Sequence, residues 1–146
     1  MFFNLSKDTH DWIQDKRTGK EYLVLETTRS FSSDKTRCED RGGYLTQPKN
    51  HYENAFVDSL TEGSFFLGMT RNDDTEQIWM WETDDGTAAA VEWTNWAPVN
   101  EIPDGKRCSS VVADVNDVTP GTWFKRFCEL NAFVDSLVCE RDSGKC

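Results

Sequence analysis

Cys108-Ser109-Ser110-Val111-Val112, Thr122-Trp123-Phe124-Lys125-Arg126-Phe127-Cys128 and Ser136-Leu137-Val138-Cys139 decide the fold. Each run is short and rich in β-branched and aromatic residues, and each is bounded by a cysteine, so each reads as a strand. Upstream, Ile78-Trp79-Met80-Trp81 is equally dense in strand formers. Asp84-Asp85-Gly86 supplies a turn before a further strand at Val91-Glu92-Trp93. Phe65-Phe66-Leu67-Gly68-Met69 reads as one short buried strand. Between Asn95 and Lys106, Pro98, Pro103 and Gly105 interrupt any period, so that stretch is irregular.

The first half of the chain is different. Trp12 to Leu25 reads as two short strands around a Thr18-Gly19 turn. Ser32 or Ser33 is positioned to cap a helix that carries Cys38 and ends at Gly42-Gly43, where a left-handed residue is needed. A second helix is signalled by Asn50 as N-cap, Glu53 three residues on, and Tyr52, Phe56 and Leu60 at helical spacing. Helices come first and most strands later, with no βαβ alternation. That order predicts an α+β fold rather than a doubly wound sheet. At 146 residues, without repeats or linkers, the expectation is one domain over 12–140, between tails at 1–11 and 141–146.

The charge balance restricts the partners. Asp and Glu total 26 against 16 Lys and Arg, a net charge of −10, which repels phosphate backbones and argues against nucleic acid. No apolar run approaches the roughly 20 residues of a membrane helix. Residues 1–8 lack the basic start and apolar stretch of a signal peptide. Cys38, Cys108, Cys128, Cys139 and Cys146 include no Cys-x-x-Cys pair, and there are only two His. Disulfides in an oxidising compartment are therefore expected rather than a zinc or redox site. Met1 is then read as an initiator on a mature secreted domain.

Catalysis is not expected. His10 lies in a polar tail and His51 in the first turn of a capped helix, and no nucleophile elbow, metalloprotease helix or phosphate loop is present. Calcium favours clustered hard oxygens in loops, which makes Asp73, Asp74 and Glu76 candidate ligands, with Asn100, Glu101 and Asp104 as a second cluster. Trp79, Trp81, Trp93 and Trp96 fall close together, and their alternation favours core packing over sugar stacking. In so acidic a chain, the doublets Lys106-Arg107 and Lys125-Arg126 stand out; a Cys108–Cys128 bond would make them neighbours.

Taken in order, these pieces resemble the C-type lectin-like domain from about Trp12 to Glu140. The resemblance rests on Cys38, Gly43-Tyr44-Leu45, Glu53-Asn54, Phe66-Leu67-Gly68-Met69, Trp79-Met80-Trp81, Trp93-Thr94-Asn95-Trp96, Cys108, Gly121-Thr122-Trp123, Cys128 and Leu137-Val138-Cys139-Glu140. It implies Cys38–Cys139 and Cys108–Cys128 disulfides. It also implies two helices flanking small antiparallel sheets, and a long irregular loop region that carries the ligand.

The departures from that family are equally specific. Sugar-binding members hold calcium with Glu-Pro-Asn or Gln-Pro-Asp after the tryptophan pair. Here the stretch is Ala97-Pro98-Val99-Asn100-Glu101-Ile102-Pro103-Asp104, leaving Glu101 and Asp104 as stand-ins. An acidic family position before Cys108 is occupied by Lys106-Arg107, and the Trp-Asn-Asp motif becomes Trp123-Phe124-Lys125. The expected function is a secreted, non-enzymatic recognition domain that binds a glycan or an extracellular protein. No cofactor is required, calcium is optional, and Lys106, Lys125, Trp96, Glu101 and Asp104 face the ligand. The alternative is a calcium-dependent carbohydrate-binding lectin with an atypical ligand set. Cys146, left over after the two implied bonds, is either a free thiol or the link in a disulfide-bonded dimer.

Overall fold

The computed structural model describes residues 11–71, 78–82, 88–98, 105–112, 121–129 and 133–142. Strand β1 (Ile13–Gln14) turns through Gly19, at φ +83°, into β2 (Lys20–Leu25). Helix α1 (Phe31–Asp40), β3 (Tyr44–Leu45) and helix α2 (His51–Asp58) follow. The remaining strands are β4 (Phe65–Phe66), β5 (Met69–Arg71), β6 (Trp79–Glu82), β7 (Ala88–Ala90), β8 (Cys108–Val111), β9 (Trp123–Arg126) and β10 (Leu137–Asp142). They form three sheets ordered β1-β2-β10-β3, β4-β8-β9 and β5-β6-β7, all paired antiparallel. This is the expected α+β class, with two helices, small antiparallel sheets and both implied disulfides. Among the described residues no helix is long and apolar enough to cross a membrane.

Two buried clusters explain why the strands read as near-continuous apolar runs. Neighbouring residues on a strand point to opposite faces, and here both faces are covered. On β2, Tyr22 enters one cluster while Leu23 and Leu25 enter the other. On β10, Val138 joins the first, and Leu137 and Cys139 join the second. Phe65 and Phe66 divide in the same way. Cys38–Cys139 ties α1 to β10 with Cα atoms 5.3 Å apart, and β10 pairs with β2 from Leu137↔Leu25 to Asp142↔Lys20. β10 therefore runs past the boundary expected at Glu140, because Arg141 and Asp142 still find partners on β2.

Three local expectations are corrected. The α1 N-cap is Ser30, not Ser32 or Ser33; its side chain accepts from the Ser33 N–H at 3.5 Å. Placing Phe31 first in the helix buries its ring against Phe66 and lets its N–H reach the Cys128 carbonyl at 2.7 Å. The run from Phe65 to Met69 is two strands in two sheets. The chain changes sheets at Leu67-Gly68, where Gly68 lies so close to β3 that an added Cβ would stand 2.5 Å from the Leu45 carbonyl oxygen. Finally, the strand after β6 is Ala88–Ala90, not Val91–Trp93. The Val91 N–H still bonds the Trp79 carbonyl at 2.9 Å, and Trp93 then leaves the ladder to meet Trp123.

Candidate functional site

Trp123 organises the site. It opens β9, is fully buried, and donates its indole N–H to the Asn54 side-chain oxygen on α2 at 2.8 Å. The Asn54 amide nitrogen in turn donates to the Gly121 carbonyl at 2.8 Å, and the Asn95 amide donates to the same oxygen at 2.9 Å. The irregular segment at 95–97 is sewn to β9, with Trp123 N–H to the Asn95 carbonyl at 2.9 Å and Ala97 N–H to the Trp123 carbonyl at 3.0 Å. Trp81, Trp93 and Trp96 meet the Trp123 ring edge-on, with centroids 6.4, 5.4 and 5.8 Å away, and Trp96 also tilts against Trp79 at 5.2 Å. Trp79 and Trp81 are buried, as core packing requires, while Trp93 and Trp96 remain half-buried at the margins.

Lys125 lies over one margin, its ammonium 4.2 Å from the centre of the Trp96 ring. Alternation along β9 turns Arg126 the other way, where its guanidinium lies 5.2 Å from the Phe124 ring and 5.0 Å from Phe133, with Nε bonded to the Ser110 hydroxyl at 2.9 Å. The Lys106 ammonium lies 5.6 Å from the Phe127 ring. Cys108–Cys128, Cα atoms 5.2 Å apart, closes β8 onto β9 in the register Cys108↔Arg126 and Ser109↔Lys125, which brings both basic doublets to one end of the hairpin. Phe127 and Phe133 are 53% and 68% exposed beside these cations.

Arg71 had no signal in the local pattern, yet it supports this end of the molecule. It is 2% exposed, donates Nε to the Lys106 carbonyl at 3.0 Å and its backbone N–H to the Arg107 carbonyl at 3.1 Å, and lies 5.8 Å from the Trp79 ring. Glu101, Asp104 and Asn100, the loop residues Asp73, Asp74 and Glu76, and Cys146 lie outside the described residues. Among the described residues no group of three or more His, Cys, Asp or Glu side chains is arranged to hold a metal ion.

A family model for the Lectin C-type domain matches residues 27–141. Solved structures share the architecture at low identity. The cow C-type carbohydrate-recognition domain of CD23, studied in the presence of a GlcNAc2Man3 oligosaccharide, superposes with a TM-score of 0.72 at 20% identity, covering 91% of this chain and 94% of that one. The mouse scavenger receptor C-type lectin carbohydrate-recognition domain gives 0.70 at 22%, covering 91% and 96%. A calcium-independent type II antifreeze protein gives 0.68 at 17%, covering 92% and 98%.

Proposed function

We propose that this chain, which belongs to the C-type lectin domain family, is an extracellular, non-catalytic recognition domain that holds an acidic glycan by direct cation contact at Lys125 and Lys106. Trp96 supplies a stacking face and Glu101 and Asp104 supply loop contacts. The observation that carries this reading is the Lys125 ammonium 4.2 Å over the Trp96 ring. Calcium takes six to eight oxygen ligands. At the two β9 positions where the family resemblance implies oxygen donors, this chain offers the phenyl ring of Phe124 and the ammonium of Lys125. Those groups do not fit a dication, and the ammonium repels one. That a protein of this fold is described as calcium-independent is consistent with a fold that stands without the ion. The two disulfides support an oxidising, extracellular setting.

The decisive measurement is binding to sulfated and sialylated glycans in EDTA, at two salt concentrations, for the wild type and the Lys106→Glu/Lys125→Glu double variant. Each solvent-accessible cation–anion pair contributes about 0.2–1 kcal/mol, so the pair of substitutions should weaken binding roughly twofold to thirtyfold, more at low salt. Calcium should leave both affinity and melting temperature nearly unchanged. Binding abolished by EDTA would instead favour a calcium-dependent lectin using Asn100, Glu101 and Asp104. Salt-insensitive binding unaffected by the double variant would overturn the cation site. The exposed Phe127 and Phe133 would then favour docking to an extracellular protein.

A further inference from the structure

The opposite margin of the tryptophan cluster carries a different chemistry. His51, the first residue of α2, meets the Trp93 ring edge-on at 4.7 Å, and a hollow lies on each side of this pair. The one beyond Trp93, about 360 Å³, is lined by Lys49, Trp81, Ala89, Ala90, Glu92 and Trp93. The one beyond His51, about 370 Å³, includes Asn54, Asp58, Asn95 and Thr122 in its wall. Both volumes sit at the lower end of the roughly 300–1,000 Å³ typical of small-molecule sites.

The geometry points to a second ligand site, independent of Lys125, in which these two hollows hold adjacent rings of a neutral oligosaccharide astride Trp93 and His51. The first hollow offers the indole walls of Trp81 and Trp93, and the second the His51 imidazole among amide, hydroxyl and carboxylate groups; together they suit a molecule that has apolar C–H faces and many hydroxyls. Lys49 and Glu92 face the first hollow with opposite charges, and Asp58 brings a negative charge to the second, so nothing there favours an anion. A cationic ligand is opposed in the first hollow, because the Lys49 ammonium already stands 6.0 Å over Trp81.

The walls are also fixed before any ligand arrives. Trp93 is braced by Trp123, and both ends of the Asn54 amide are engaged, one by Trp123 and one by Gly121. Asp58 is half-buried with no hydrogen-bond or ion-pair partner among the described residues, and burial raises its pKa above the usual carboxylate value. A carboxylate short of water and of partners is an acceptor for sugar hydroxyls. Ala89 and Ala90, on the exposed strand β7, let a ring approach the indoles closely.

The test uses the ¹⁵N-labelled full chain in EDTA, titrated separately with N-acetylchitotriose, cellotriose and maltotriose while the Trp93 indole N–H and His51 signals are followed. At least one trisaccharide should shift both signals with a millimolar or tighter Kd. Ala90→Arg, which fills the first hollow from an exposed position, and Asp58→Asn, which removes the carboxylate, should each weaken it about tenfold. Lys106→Glu/Lys125→Glu should leave it unchanged, so this site and the cation site fail separately. Silence at Trp93 with all three sugars to about 20 mM, weaker than any millimolar site, would overturn the assignment. So would affinity insensitive to both substitutions, or shifts that vanish in the lysine double variant.

Discussion

Replacing Lys20 by Met should expose how the terminal sheet is held together. Lys20 opens β2, and its ammonium lies 3.2 Å from a Glu140 carboxylate oxygen and 3.4 Å from one of Glu53. Glu140 is 1% exposed; it also accepts from the Gln47 backbone N–H at 2.8 Å, the Thr46 hydroxyl at 3.0 Å and the Tyr44 hydroxyl at 3.3 Å. Removing one partner of a buried ion pair costs about 3–5 kcal/mol, because the other charge stays behind. Here three hydrogen bonds remain on Glu140 and Lys20 itself is 19% exposed, so the expected loss is about 2–3 kcal/mol. For a chain of this size that lowers Tm by roughly 5–10 °C. Urea melts at pH 7, on a cycle completed by Glu140→Gln and the double variant, measure the loss and the coupling between the two side chains. A loss below about 0.5 kcal/mol, or a coupling energy near zero across the cycle, would refute the reasoning.

The same cluster predicts an alkaline limit. Burial opposes the charge on Lys20, but Glu140 and Glu53 outweigh it and raise the pKa, while burial and then those carboxylates push Tyr22 upward. Above pH 10 the unfolded chain releases protons that the native state retains, so stability should fall from there in a pH-stepped melt. The Tyr22 hydroxyl is buried without a hydrogen-bond partner among the described residues, so Tyr22→Phe should be neutral or stabilising by about 1 kcal/mol at pH 7, with a shallower alkaline limb; a loss above that size would contradict the orphaned hydroxyl. Cys38–Cys139 spans 101 residues and Cys108–Cys128 spans 20, so paired alanine replacement should cost about 4.7 kcal/mol for the first and about 3 for the second in the chain-entropy account. Chemical denaturation that gives the reverse order would count against it.

Much of this fold was legible because its signals are local or nearly so. Asn50 and Glu53 mark the start of α2, and the Asn50 side chain does accept from the Glu53 N–H at 2.9 Å. Gly42 ends α1 with φ +86°, a backbone angle its position just past the helix requires. The misreadings arose where a distant partner set the local choice. Ser32 and Ser33 are adequate caps in isolation; Ser30 takes the role because Phe31 must reach Phe66 and Cys128. Phe65 to Met69 is an unbroken apolar run that reads as one strand, and its division falls where Gly68 comes against the Leu45 backbone. Arg71 and the Lys20–Glu140 pair were illegible for the same reason. Periodicity tells which face is buried, not which polar group from the other end of the chain will be waiting there.

That distinction separates the scaffold of the site from its chemistry. Trp81, Trp93, Trp96 and Trp123 pack against one another wherever alternation places them, and the Asn54–Trp123–Gly121 hydrogen bonds fix their orientation. The cluster is too large for its fold to cover completely, so Trp93 and Trp96 surface at two margins. Under the two proposed sites, what each margin binds is decided by the residues that border it. Lys125 stands over Trp96, while His51, Lys49 and Glu92 surround Trp93. Because those bordering side chains lie at the surface or are only half-buried, exchanging them alters ligand chemistry at little cost to the core. A lysine can thus stand where the family resemblance implies a calcium ligand while the fold persists at about 20% identity to its structural relatives.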